Sequence, residues 1–476
     1  MPIVLPQFLV RWSVPNSIRA RLLAGAFWSI LGSGIGQAMS MAATMLCARF
    51  LGPHDYGQLG VIQSTVNLFG LVAALGLGIT ATRHIAEYHR LDPVRAGRVL
   101  GLATLTACVA GFFVAALLVA GAPWLSRTSL NAPELSLDLR IASIAIFFTG
   151  LNGYQVGALT GFEAFRPLAA ASVIRGIITL PVFVVGILAA GLRGAVVALA
   201  LVSALNYLVH AFVLARQCRL HRVSVSYDLG REDWRLLYRF SIPVVVAGMS
   251  FTPAVWWTNT LLARTSGYVQ LGLFTAAFQW NTVILFFSGA LGNLCLPLLS
   301  SVLPEKNMAK YVRILLANFV LTTGSALVLA VPVAIAAPFV MSLYGKSFAH
   351  AHNTLLLVCV AAVLFAANTT VGHAIWSLDA TVSGVVLALM RGVLLVAAAY
   401  SLRSYGALGL AGSYAFMALA QTLVSCGFMW WLIRGRSAQW HRACPATALS
   451  GFSEPMNPPA EGPWPKAVDA ITSERR

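Results

Sequence analysis

The sequence predicts an all-α integral membrane protein: twelve transmembrane helices in two six-helix lobes, related by a parallel internal repeat, with both termini cytoplasmic. Three observations carry that expectation. The chain is 58% hydrophobic and only 10% charged, with a mean hydropathy of +0.79. Its Lys and Arg residues gather between alternate apolar runs. A set of Gly, Arg and Asn positions recurs at a spacing of 215 or 216 residues.

Soluble domains carry roughly a quarter charged residues. Here apolar runs of about 20 residues, each enough to cross a ~30 Å hydrocarbon layer, follow one another along nearly the whole chain. Helix is their natural form, because lipid offers the backbone no hydrogen-bond partner. Twelve spans are read at 22–47, 57–82, 98–121, 139–161, 168–190, 194–215, 237–262, 270–296, 313–342, 353–377, 381–402 and 407–433. Span 1 is too long, and too well followed by others, to be a cleaved signal peptide. Seven cysteines (Cys47, Cys108, Cys218, Cys295, Cys359, Cys426, Cys444) are scattered without a CxxC or a metal-type grouping. They suit reduced thiols packed as small apolar side chains. No metal or cofactor is expected.

The net charge is +17 and the isoelectric point about 10.1. With the N-terminus inside, the inner segments hold twenty Lys and Arg residues before the far C-terminal tail is counted. The outer loops hold seven: Arg49, Arg127, Arg140, Arg193, Arg264, Lys346 and Arg403. That asymmetry is the positive-inside pattern. It assigns the charge to topology and anionic headgroups, not to nucleic acid. The resulting organisation is an N-terminal cytoplasmic segment 1–21, an N-lobe 22–215, a basic linker 216–236, a C-lobe 237–433 and a cytoplasmic tail 434–476. The tail's "PATALSGFSEPMNPPAEGPWPK" has no apolar periodicity and predicts disorder.

The repeat is read from matched positions. At an offset of 215, Ala48, Arg49, Gly52 and Gly57 fall on Ala263, Arg264, Gly267 and Gly272, and Gly191 and Gly194 on Gly406 and Gly409. At 216, Asn152 falls on Asn368, Arg175-Gly176 on Arg391-Gly392, and Glu163 on Asp379. Small residues recur in any membrane bundle, but that does not place Arg, Asn and an acid in register. Six spans per half make the repeat parallel, the arrangement of two bundles facing one another across a cleft. Gly52 and Gly267 are expected to permit tight turns, with Arg49 and Arg264 at the outer rim. Transport is the function class this architecture suggests.

The stretch from Phe27 to Tyr88, with "ARFLGPHDYG" and "LGLGITATRHIAEY", resembles the N-terminal region of bacterial polysaccharide-biosynthesis flippases. The "GLRGA" and "GALGLAG" starts of spans 6 and 12 extend the likeness over about 20–435. The family is the O-antigen (Wzx-type) branch of the multidrug/oligosaccharidyl-lipid/polysaccharide (MOP) exporter superfamily, whose fold is MATE-like. The resemblance implies two lobes around a central cavity in the bacterial cytoplasmic membrane. It implies an oligosaccharide on undecaprenyl diphosphate as cargo, and surface-polysaccharide polymerase machinery as a partner. It implies no covalent chemistry. A multidrug exporter or a lipid II flippase of the same superfamily is the alternative, and a membrane-embedded glycan transferase a more distant one.

Two cations lie inside spans. Arg391, about ten residues into span 11, is roughly 15 Å deep at 1.5 Å per residue, where an unpaired guanidinium is costly. It should face the bundle interior or a wet cavity. Arg391 and Arg175 are candidates for the diphosphate or acidic sugars. The structural alternative has each bonding carbonyls or amides of its own lobe, or Arg175 snorkelling to the surface. Arg49 and Arg264 serve as rim anchors or as ligands. By analogy with the family, spans 1, 2, 7 and 8 line the cleft. Gln37, Gln63, Asn67, Asn259, Gln279 and Asn281 are then candidates for sugar hydroxyls, and Trp256, Trp257 and Trp280 for stacking. Interhelical bonding and interfacial anchoring are the alternatives. Asn152, Asn368, His210 and His373 suit structural roles. No Asp or Glu reaches a span centre, which weakens a cation-coupled drug antiporter.

Overall fold

The computed structural model describes residues 18–228, 245, 248–292, 295–303, 308–378 and 381–443. The elements are α1 (Ile18–Ala74), α2 (Leu77–Leu91), α3 (Pro93–Trp124), α4 (Leu135–Gly161), α5 (Phe165–Leu220), α6 (Thr252–Gly292), α7 (Cys295–Val302), α8 (Met308–Ile335), α9 (Ala337–Ser342), α10 (His352–Ser377), α11 (Thr381–Ser401) and α12 (Gly406–Ala443). Among the described residues, nine helical stretches are long and apolar enough to cross a membrane.

Three of those stretches are broken internally. α1 is interrupted at Gly52 (φ 74°, ψ 173°), α5 at Ala190–Gly191, and α6 at Gly267 (φ 86°, ψ 166°). The sequence predicts loops at 48–56 and 263–269, and the structure corrects this. Helix runs up to each glycine and resumes at the next residue. One residue suffices because glycine alone enters this positive-φ region without a Cβ clash. Behind Gly52, Pro53 has its φ already fixed at a helical value for the first turn.

Other expected boundaries also move. Span 2 (57–82) is not continuous: Leu75 (φ 45°) and Gly76 (φ 65°) end α1, and α2 restarts at Leu77. Asp92 then caps α3 by accepting the Arg95 backbone N–H at 3.0 Å, with Pro93 in its first turn. This is an N-cap arrangement that supplies one of the helix's orphan donors with a partner. Span 9 divides into α8 and α9 around Ala336. The linker expected from 216 begins as helix, since α5 runs to Leu220. The final helix continues through 434–443, which the sequence assigns to the tail. The first part of span 7, most of the linker and the remainder of the tail lie outside the described residues.

Residues up to Met429 form one compact unit, and those from Trp430 another. In the second, the Arg434 guanidinium lies 3.8 Å from the Trp430 ring centroid. The core of the first unit joins both halves of the sequence: Ala48, Leu59, Ile62 and Val66 of α1 share one buried cluster with Ala263, Leu271, Phe274 and Ile284 of α6. A second cluster ties α2 and α3 to the end of α4 and of α5. There residues 223–226 lie along α3, with the Ser226 N–H donating to the Gly97 carbonyl at 3.2 Å.

Candidate functional site

Three places in this helical frame gather polar groups: the seam between α1 and α6, a cavity inside the C-terminal half, and a cluster around Arg175 in the N-terminal half.

The seam is built on glycine. A Cβ on Gly57 would overlap the carbonyl oxygen of Tyr268, and one on Gly272 would overlap that of Pro53. These positions are repeat partners, since 53 and 57 map onto 268 and 272 at the offset of 215. The two helices therefore cross backbone to backbone about a local pseudo-two-fold axis, an approach that only small residues permit. Gly60 continues the contact against Thr275, again 215 residues away. Further along, Trp256 Nε1 donates to Thr65 Oγ1 at 3.0 Å. The Tyr268 hydroxyl donates to the Leu130 carbonyl at 2.7 Å, and the Tyr56 ring stands edge-on to Phe348. Two more side-chain bonds belong to the same end of the bundle: Gln58 Nε2 to Glu134 Oε1 at 3.4 Å, and Ser266 to the Arg403 carbonyl at 3.2 Å.

Along the seam, Gln37, Gln63 and Gln279 are half-buried, Asn67 is exposed, and Asn259 keeps a buried Oδ1 without a partner. Gln279 lies within hydrogen-bond reach of the Tyr56 hydroxyl. Trp256 is committed to Thr65, whereas Trp257 is exposed. Arg49 and Arg264 are exposed beside the corners at Gly52 and Gly267, and they do not join the buried polar groups.

Arg391 and Asn281 come together elsewhere, in a cavity of about 610 Å³ bounded by α6, α10, α11, α12 and Phe251. The Arg391 guanidinium carbon lies 3.7 Å from the centroid of the Phe251 ring, close enough for a cation–π contact. Its Nε is buried and unpartnered, as are Asn281 Oδ1 and Gln421 Oε1. Asn368 donates from Nδ2 to Thr422 Oγ1 at 3.2 Å. Thr369, His373, Trp376, Tyr414 and Ser425 complete the polar lining, and no described Asp or Glu is among the cavity residues. The sequence reading missed Tyr414, Gln421, Ser425 and Phe251. Gln421 had a visible signal: an amide in mid-span that falls on Asn206 at 215.

The N-terminal half repeats the same set of groups around Arg175. Asn152 donates to the Ser203 carbonyl at 3.2 Å, and its Oδ1 meets His210 Nδ1 at 3.2 Å. Arg175 is the charged neighbour of His210. Arg175 Nε and Asn206 Oδ1 are buried without partners. Asn152, Arg175, Asn206 and His210 thus correspond to Asn368, Arg391, Gln421 and Ser425.

Comparison with known proteins places this geometry. Residues 22–303 match the family model described as "Polysaccharide biosynthesis protein". The chain is 28% identical over 429 residues to the EPS I polysaccharide export inner membrane protein EpsE of Ralstonia nicotianae, covering 86% of this chain and 94% of that one. It is 21% identical over 296 residues to the lipid III flippase of Escherichia coli, covering 61% and 70%. Among solved structures, an inward-facing multidrug resistance MATE family transporter of the MOP superfamily superposes with a TM-score of 0.70 at 18% identity, covering 88% of this chain and 100% of that one. A MOP superfamily transporter from Pyrococcus furiosus, described as having a binding pocket of reverse polarity, gives 0.63 at 17% identity over 88% and 96%. The structures establish the fold. A transporter rather than an enzyme, and a multi-pass protein of the cytoplasmic membrane, the chain belongs to the polysaccharide biosynthesis protein family.

Proposed function

We propose that the protein is a flippase that moves an oligosaccharide on undecaprenyl diphosphate across the cytoplasmic membrane by alternating access, for assembly of a surface polysaccharide. One observation carries this reading: a chain of this family holds two half-buried, repeat-related arginines, each with a buried and unpartnered Nε and with no carboxylate bonded to either among the described residues. Such a membrane interior favours anionic over cationic cargo, because an unpaired cation in low dielectric gains most from an opposite charge.

In this reading, twelve spans arise from nine long helices, three of them divided at Gly52, Gly191 and Gly267. The lobes are 22–215 and 237–433, joined by 216–236, with both termini cytoplasmic. The Lys and Arg asymmetry puts the Gly57–Gly272 crossing at the periplasmic end. Closure there leaves entry from the side on which the lipid-linked precursor is made. Gln37, Gln63, Asn67, Asn259 and Gln279 meet sugar hydroxyls, Arg49 and Arg264 stand at the periplasmic rim, and Arg175 and Arg391 attract acidic cargo. Polymerase machinery receives the product.

Deleting the gene tests this directly. Lipid-linked glycan should accumulate in the cytoplasmic leaflet while surface polysaccharide is lost, and both should be restored by the intact chain. Unchanged surface polysaccharide, with altered drug sensitivity in its place, refutes the proposal in favour of a drug exporter.

A further inference from the structure

We propose that the cavity inside the C-terminal half is a saccharide subsite for one sugar unit bearing an anionic group, a carboxylate or a phosphate. The source of that ligand rests on the export reading above; the binding chemistry does not.

Each half carries an intramembrane Arg, an Asn and a second amide at matched positions, so the polar set alone is explained by duplication. The walls are not. The C-terminal cavity is faced by Phe251, Phe278, Phe365, Trp376 and Tyr414. Their repeat partners at 215 or 216 are Gly36, Gln63, Thr149, Thr160 and Leu199. Every aromatic in the cavity therefore lacks an aromatic counterpart. The bonding differs too. Asn152 uses both ends of its amide on Ser203 and His210, while its repeat partner Asn368 donates to Thr422 Oγ1. Both copies keep a buried, unpartnered arginine Nε and amide oxygen, Arg175 and Asn206 in one and Arg391 and Gln421 in the other. The C-terminal copy is distinguished by its aromatic walls.

Those groups specify a ligand class. A half-buried intramembrane guanidinium with an unpartnered Nε and no carboxylate beside it is expensive to maintain and gains from an anion. Phe251 occupies one face of the Arg391 guanidinium, so the anion must approach its edge, the direction of its N–H donors. Asn281 Oδ1 and Gln421 Oε1 accept hydrogen bonds, which a sugar ring offers from several spaced hydroxyls and a phosphate ion only from the one or two protons it keeps near neutral pH. Aromatic faces cover the apolar C–H face of a pyranose ring as they cover other apolar surfaces. At about 610 Å³, the cavity lies within the usual range for small-ligand sites. It suits a unit of one or two sugars, not a whole repeat with its lipid carrier. The cargo would thus insert one acidic residue into the C-terminal half while the remainder occupies the space between the halves.

Isothermal titration of the full chain in lipid nanodiscs tests the site with four probes: an acidic disaccharide containing glucuronate, its neutral analogue cellobiose, glucose 1-phosphate and inorganic phosphate. The acidic disaccharide or glucose 1-phosphate should bind at least about tenfold more tightly than cellobiose, the scale of a charged hydrogen bond. Which of the two wins tells a carboxylate from a phosphate. Arg391→Gln should erase the preference while cellobiose binding persists, and Arg391→Lys should retain part of it. Gln421→Leu should weaken charged and neutral sugars alike. Persistent cellobiose binding also shows that each variant is folded. Equal affinity for acidic and neutral sugars, a preference that survives Arg391→Gln, or phosphate binding as tightly as the sugars would overturn the proposal. Export with no sugar binding sinks the subsite and spares the flippase; sugar binding by a chain that exports no glycan does the reverse.

Discussion

The Gly57–Gly272 crossing makes the most exacting prediction. Alanine at 272 adds one methyl group, which the present backbone would press into the Pro53 carbonyl oxygen. The colliding atom belongs to the main chain, so no side chain can swing away. The helices must part by about 1 Å or more to restore an ordinary contact. Overpacking of this kind costs about 1–3 kcal/mol. The cost falls only on the arrangement in which α1 and α6 touch here. An alternative with the seam parted should therefore gain population by about 5- to 150-fold. Spin labels at the exposed Phe50 and Val269, beside the two corners, report the separation by pulsed electron resonance. Gly272→Ala should add or enlarge a long-distance population. Gly57→Ala should do the same against the Tyr268 carbonyl. The double variant should shift little beyond either single one, because a gap opened for one methyl serves the other. Distance distributions that match the parent, or two shifts that simply add, would refute the idea that this crossing is a single closed contact.

Three further outcomes follow from the geometry. Gly267→Ala forces an L-residue to φ 86° with no atom within 4 Å of the new methyl; the loss is purely conformational, about 1–3 kcal/mol, and an unchanged melting temperature would contradict it. Trp256→Phe removes the bond to Thr65 Oγ1, costing about 1 kcal/mol, and should cost almost nothing in a Thr65→Val background; equal losses in both backgrounds would show that the bond contributes nothing. His221, just beyond the end of α5, stacks on Phe162 and meets His89 edge-on. Burial, helped by the nearby His89 and Arg90, holds its imidazole below the usual range. The folded state therefore binds fewer protons than the unfolded one, and this contribution is complete above about pH 6.5 and lost as pH falls below it. The melting temperature should drop on acidification from pH 7.5 to 5.5, and less so in His221→Gln; identical pH profiles would remove His221 from the account.

The helical membrane class was legible because composition and positive-inside charge act on every residue of the chain. The repeat is read from Arg and Asn, which, unlike Gly or Ala, rarely recur in register within apolar sequence. The corners were harder. A Gly-Pro beside Asp55 and Tyr56 reads as a loop, and only the backbone reveals that Gly52 alone turns the chain. Gly57 and Gly272 were visible as repeat partners, but their meeting across the seam is a tertiary fact that no local pattern encodes. The cavity was half legible. Arg391 declares itself by the cost of charge in lipid, and Asn281 by its polarity. Tyr414, Phe251 and Trp376 look like ordinary membrane aromatics until the halves are aligned and their partners prove small, aliphatic or polar.

The crossing of α1 and α6 is self-complementary: each half offers a glycine and receives, four residues before the partner glycine, a carbonyl oxygen. An interface with that property demands the same surface from both participants, which is how two identical molecules meet around a dyad. A half-length ancestor would have needed only one such glycine to pair with its own copy. Joining two copies into a single chain would have preserved the contact unaltered, leaving each side free to diverge everywhere except at the point where they touch.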